Sequence, residues 1–339
     1  MTRRSREVCV RQRVVVFAAF LSLVVATVSI VRAYAGQTSS VGGATNVSAK
    51  KIWVTPRTPD GKPDLEGVWN FSSATPLERP PEFAAQEFLS DQNVAAIEQR
   101  AAQLRQVDPD GRLLNTPPWW SDFGTRVVNN RRSSLIIDPP DGKVPAMTPE
   151  GLKRQADLST ARVAFDGPES LNPWERCITR GLPAVMLPGA QNNNLQLLQT
   201  PGYVVIATEM IHEARIVPLD GRTDAPQHLR AWMGHSRGRW EGDTLVVETT
   251  NFHEKADFLG AGGQLRLIER FRRIDADTID YRFTVEDPTT WTKPWTVAVP
   301  LVKTDGLIYE YACHEGNYSM RNMLSMARSA ESASAPKQR

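Results

Sequence analysis

Between residues 195 and 313, hydrophobic and polar residues alternate in short runs broken by turn signals. The runs cover 195–200, 203–217, 244–251, 265–274, 278–286, 295–302 and 307–313. Pro201-Gly202, Asp220-Gly221, Glu241-Gly242-Asp243, Asp275-Ala276-Asp277 and Asp305-Gly306 separate them. Short strands at this spacing, with no helices between them, predict a mainly β fold: an antiparallel meander that closes into a barrel or a sandwich. Side chains of a strand point alternately to its two faces, so the runs also predict which residues turn inward. Ile279, Tyr281, Phe283 and Val285 share a face, as do Trp295, Val297, Val299 and Leu301. Leu265, Leu267 and Phe271 align with Glu269, while Val204, Ile206, Met210 and Ile216 align with His212.

The preceding stretch has a different texture. From Pro56 to Pro149 proline is dense and periodicity is weak, with Pro-Asp-Gly clusters at 59–61 and 140–142 that suit turns. One helix is predicted over 91–106 with Ser90 as N-cap, and another from Pro149 with Thr148 as cap. A short hairpin is expected from 125–128 and 133–137. A last helix over 318–329 carries Met320, Met323, Leu324 and Ala327 on one face, predicting that it packs on the sheet. The expected organisation is a leader at 1–35, a flexible linker at 36–54 and a proline-rich extension with short helices at 55–165. A β-barrel domain with a C-terminal helix follows at 166–330, then a disordered tail at 331–339.

Charge and cysteine content sharpen this picture at the N-terminus. Arg3, Arg4, Arg6, Arg11 and Arg13 precede an uncharged run from 14 to 31, and Ala33-Tyr34-Ala35 follows. These are the parts of a secretory signal peptide, which predicts export to a periplasmic or extracellular space. The run of 18 residues also reaches the lower limit for a membrane span, so an uncleaved anchor is the alternative. Residues 1–35 hold six of the 40 basic residues and one of the 38 acids. The rest of the chain therefore carries 34 basic against 37 acidic groups, a net −3, with no basic footprint for nucleic acid. Cys9 belongs to the leader, which leaves Cys177 and Cys313. In an oxidising space their simplest state is one disulfide; the alternative is a thiol or metal ligand at Cys313-His314-Glu315.

The inward rows supply the candidate chemistry. A titratable group in an apolar row costs several kcal/mol unless paired, so His212 and Glu269 need partners. They are read as an acid/base or ligand-orienting pair inside the barrel, or as a satisfied buried pair. Trp240, Tyr281, Trp295, His314 and Glu315 are the candidate ligand-binding residues, because aromatic faces at a barrel mouth suit flat apolar ligands or sugar rings. Gly234-His235-Ser236-Arg237-Gly238 fits the G-x-S-x-G pattern, but no strand-turn-helix context surrounds it, which argues against a serine hydrolase. No H-x-x-x-H, H-E-x-x-H, Walker or dinucleotide motif is present, so no metal or cofactor is expected.

Six stretches carry a resemblance: TPRTPDGKPDLEGVW (55–69), LIIDPPDGKVPAMT (135–148), RCITRGLPAVMLP (176–188), EMIHEARIVPLDGR (209–222), WMGHSRGRWEGDTLVVETTNF (232–252) and YEYACHEGNY (309–318). Together they resemble a large family of secreted proteins from soil bacteria. The resemblance implies export and a bacterial origin, and it carries over no catalytic residue, since the family is uncharacterised. The W-E-G-D-T-L start of a meander is similar to lipocalin-like (calycin) barrels, which implies a cavity for a small molecule. The functional expectation is a binder of a small apolar or carbohydrate ligand within a calycin-like barrel. A hydrolase or lyase using His212 and Glu269, and a structural envelope protein with a filled barrel, are the alternatives.

Overall fold

A computed structural model describes residues 53–104, 122–164, 167–223, 225–256 and 258–334. The expected leader, the linker as far as residue 52, Trp119-Trp120 and residues 335–339 of the tail lie outside the described residues. Ten strands are described: β1 (Gly67–Asn70), β2 (Ile136–Asp138), β3 (Asn194–Thr200), β4 (Tyr203–Thr208), β5 (Ala214–Pro218), β6 (His235–Glu241), β7 (Thr244–Thr250), β8 (Arg266–Arg273), β9 (Thr278–Glu286) and β10 (Trp295–Lys303). All pair antiparallel in the order β5-β4-β3-β1-β10-β9-β8-β7-β6, with β2 joined to β10.

The sheet curls into a nearly closed barrel, as the alternation predicts. Its end strands β5 and β6 meet at Gly238, where an added Cβ would lie 2.6 Å from Leu219 Cδ2 and 2.9 Å from Val217 Cγ1. Among the described residues these two strands share no hydrogen-bonded ladder, so side-chain packing closes the seam. Inside, the rows from β8, β9 and β10 are buried as expected, from Leu267 and Phe271 through Tyr281 and Phe283 to Trp295 and Leu301. Phe271 and Tyr281 are register partners, and their rings stack at 4.6 Å. The barrel axis is filled with side chains.

Several elements depart from the sequence expectation. The run 203–217 is two strands, not one. Between them lies a 3-10 turn, Met210–His212, in which Ile211 takes φ 61°. The turn shifts the alternation by one residue, so Arg215 and Val217 face inward while Ile216 is 63% exposed. β1 was not expected: four residues of the proline-rich half sit between β3 and β10, with Trp69 fully buried. That half thus contributes a strand to the barrel. β6 occupies the G-x-S-x-G segment, and the expected strand over 307–313 is irregular chain instead. Of the expected hairpin only β2 forms a strand.

The helices form where their caps predict. Helix α1 (Asp91–Leu104) starts with the Asn93 amide donating to Ser90 Oγ at 3.2 Å. In α2 (Pro149–Ala164) the Gly151 amide donates to Thr148 Oγ1 at 3.0 Å. Arg154 of α2 donates to Gly260 O and Thr290 Oγ1, which docks the helix on one end of the barrel. Helix α3 (Tyr318–Ser334) runs into the expected tail. Its stripe of Met320, Met323, Leu324 and Ala327 is absent from the side chains packed on the core, so the expected docking on the sheet is corrected.

Candidate functional site

Glu269 lies inside the barrel with no exposure, and Arg215 is its partner. The guanidinium donates Nη1 to Oε2 at 2.5 Å and Nη2 to Oε1 at 3.0 Å, a two-pronged bond across the interior from β5 to β8. Tyr281 adds a hydroxyl bond to Oε1 at 2.9 Å. Burial alone would lower the Arg215 guanidinium; the charge and hydrogen bonds of Glu269 outweigh it and hold the group above its ordinary value. Burial, reinforced by the Glu269 charge, pushes the Tyr281 phenol well above 10. Arg215 therefore keeps its charge and Tyr281 its proton beside the Glu269 carboxyl group. Both carboxylate oxygens are engaged and the residue has no exposure, so Glu269 is a buried group satisfied by its own neighbours. His212 closes the turn before β5; its side chain lies outside the described residues.

The five expected ligand residues are not brought to one place. Tyr281 is engaged with Glu269, and Trp295 is sealed under Phe258 and Trp291 at 5.9 and 5.5 Å between ring centroids. Trp240 is half-buried on β6. His314 and Glu315 are exposed on the surface arm beside Cys313. That cysteine is joined to Cys177 in a disulfide, with Cα atoms 5.7 Å apart. Ser236 is no nucleophile on a turn: it lies within β6, buried, its hydroxyl 2.8 Å from Thr249 Oγ1. Among the described residues no group of three or more His, Cys, Asp or Glu side chains is arranged to hold a metal.

A pocket of about 470 Å³ opens elsewhere, among the loops at one end of the barrel. Its walls are the chain from 71 to 77, the stretch 184–193, and Leu135, Arg180, Met210, Phe258 and Leu259. Phe71, Leu77, Leu135, Val185, Met210 and Phe258 make the lining mainly apolar, and among the described residues Arg180 is its one charged side chain. Each wall is fixed by specific bonds. Asn193, buried at the edge, donates Nδ2 to Asp122 Oδ1 at 2.9 Å and receives the Gly189 amide on Oδ1 at 2.7 Å. Glu209, beside Met210, accepts from Asn194 Nδ2 at 2.9 Å and from the Tyr309 amide at 3.1 Å. The Arg180 guanidinium lies over the Trp174 ring at 4.4 Å.

The backbone around this pocket is unusual. Non-glycine residues rarely take positive φ, and a β-branched one there is an outlier. Asn192 (φ 57°) and Leu259 (φ 52°) line the pocket, and Ile211 (φ 61°) directly follows Met210 of its wall. No lining residue stands out in the sequence, because the walls come from separate stretches without periodicity. The nearest signal is the run from Arg180 through Pro188 to Asn193, rich in turn formers yet carrying Leu182, Val185, Met186 and Leu187. No family model, curated protein or solved structure matches the chain.

Proposed function

We propose that this chain is an exported protein that takes a small, mainly apolar ligand in the pocket at the end of its barrel. One observation carries the reading: a pocket of a size that suits a small molecule has two non-glycine residues with left-handed backbone, Asn192 and Leu259, in its wall. Such strain costs about 1–3 kcal/mol per residue and collects where a site must be held in one shape. Pockets of about 300–1,000 Å³, apolar with few polar groups, are the usual size and character for small ligands. The leader pattern and the Cys177–Cys313 disulfide support export. The filled barrel axis moves the ligand from the interior, where the alternation suggests it, to the end loops. It also argues against a hydrolase or lyase acting through Glu269, whose oxygens are taken.

The test is a thermal-shift screen of small apolar compounds on the disulfide-bonded protein and on Ala184→Phe, which fills the pocket from its wall. At least one compound is expected to raise the melting temperature of the parent and not of the variant. Equal shifts in both proteins, or none in either, would overturn the reading. A silent screen would favour instead the structural envelope protein, for which the filled barrel interior speaks.

A further inference from the structure

We propose that helix α3 binds a soft monovalent metal ion, copper(I) or silver(I), between the thioether of Met323 and that of Met320 or Met326. This site is separate from the pocket and does not depend on what the pocket holds. Its first support is where the methionines sit. Three of the chain's eight fall within residues 320–326. Among the described residues, Met186 and Met210 belong to the core, and Met147 and Met233 pack against it. The three on α3 are absent from both sets: Met326 is 73% exposed, and Met320 and Met323 are half-buried. Four thioethers serve packing; these three do not.

The second support is spacing. Met320, Met323 and Met326 repeat every three residues within a continuous helix. Side chains three apart on a helix have Cβ atoms about 5–6 Å apart, a gap that two flexible thioethers close around one ion. Met320 and Met326 lie about 9 Å apart along the axis, too far to share an ion, so the trio makes two overlapping pairs with Met323 in both. Ala327 and Ala330, one turn beyond Met323 and Met326, are small and leave that pair open. The two arginines of the helix, Arg321 and Arg328, lie about 140–160° around the axis from Met323 and Met326, so their charge points away from a cation held there.

The third support is donor chemistry. A thioether is a soft donor and selects copper(I) over the oxygen-seeking calcium and magnesium. Cys177 and Cys313 offer no rival thiolate, because they are joined in a disulfide. A thiolate, an imidazole or a carboxylate must lose its proton before it binds a metal. A thioether has no such proton, so its affinity does not fall as the solution is acidified.

Silver nitrate is the probe, since silver(I) shares the charge and softness of copper(I) and undergoes no redox change in buffer. The protein is the disulfide-bonded chain with Cys9→Ser, which removes the third cysteine, labelled with carbon-13 at the methionine methyls. In chloride-free buffer, silver is expected to shift the methyl signals of Met320, Met323 and Met326 and to leave those of Met147, Met186, Met210 and Met233 in place. Met323→Leu keeps the apolar volume and the helix preference. It should weaken silver binding by about tenfold or more, because a direct ligand counts for at least as much as an outer-shell partner. Met320→Leu and Met326→Leu each leave one pair whole and should cost less. Affinity should be the same at about pH 7.5 and about pH 5.5, on either side of the ordinary histidine value. Unmoved signals from the three methionines, or a triple Leu variant that binds silver as tightly as the parent, would overturn the site. So would equal losses in the three single variants, which deny Met323 its shared place. An affinity lost on acidification would also overturn it, assigning the ion to an imidazole such as His314.

Discussion

Arg215→Ala is expected to destabilise the fold by about 3–5 kcal/mol, read as a fall in the urea midpoint of the disulfide-bonded protein. The substitution leaves the Glu269 carboxylate at zero exposure with only the Tyr281 hydroxyl as partner. A buried charge without its counter-ion is far more costly than the pair itself is favourable. It follows that removing all three polar groups together should be mild. Arg215→Met, Glu269→Leu and Tyr281→Phe combined keep the volume and are expected to lie near the parent or above it, by up to about 4 kcal/mol. A single variant within about 0.5 kcal/mol of the parent, the range of a neutral surface change, would sink this account. So would a triple variant no more stable than Arg215→Ala.

The same triad predicts an alkaline limit. Folding raises the Tyr281 phenol well above 10, the value it regains on unfolding. Above that value the unfolded chain releases the proton and the folded one keeps it, so stability falls as pH rises. The contribution is complete below pH ~10 and is lost progressively beyond it. Tyr281→Phe should flatten this slope in urea midpoints taken across the alkaline range. An unchanged slope would assign the alkaline loss to other groups.

Strands whose two faces differ in chemistry are legible in the sequence. β9 alternates Ile279, Tyr281, Phe283 and Val285 with Asp280, Arg282 and Thr284, and the structure buries the first set as predicted. β6 is not legible, because its inward positions include Ser236 and Gly238, kept small by the approach of Leu219 and Val217 across the seam. β1 is hidden by brevity: four residues cannot establish a period. Glu269 could be marked as needing a partner, yet the identity of that partner turned on one residue. With Ile211 in the left-handed region the parity reverses, and Arg215 replaces Ile216 as the side chain facing inward. The pocket is the least legible feature, since loops from several parts of the chain meet there and no pattern within any one of them announces the meeting.

The Cys177–Cys313 disulfide holds the second large effect, and its removal is expected to act on a defined part of the molecule. The bond joins residues 136 apart in sequence, so reducing it frees a long loop in the unfolded chain. Loss of such a bridge costs about 2–5 kcal/mol, mainly through the entropy regained by the unfolded state. In the folded state the cost is local. After β10 ends at Lys303 the chain runs as an arm with Leu307 and Tyr309 about two-thirds exposed. Its ties to the rest of the protein include the disulfide, the Thr304 amide on Val68 O at 3.0 Å, the Tyr309 amide on Glu209, the Trp174 indole donating to the Tyr311 hydroxyl at 3.3 Å and Asn317 Nδ2 on the Glu175 carbonyl at 2.9 Å. Scattered hydrogen bonds at a surface give little protection once the covalent tie is cut. Cys177→Ser with Cys313→Ser should therefore lower the urea midpoint and open residues 304–334 to limited proteolysis, while the β1–β10 barrel stays resistant. Tyr309 also links the arm to Glu209, beside Met210 in the pocket wall. An unchanged midpoint together with unchanged cleavage would show that the hydrogen bonds alone hold the arm in place.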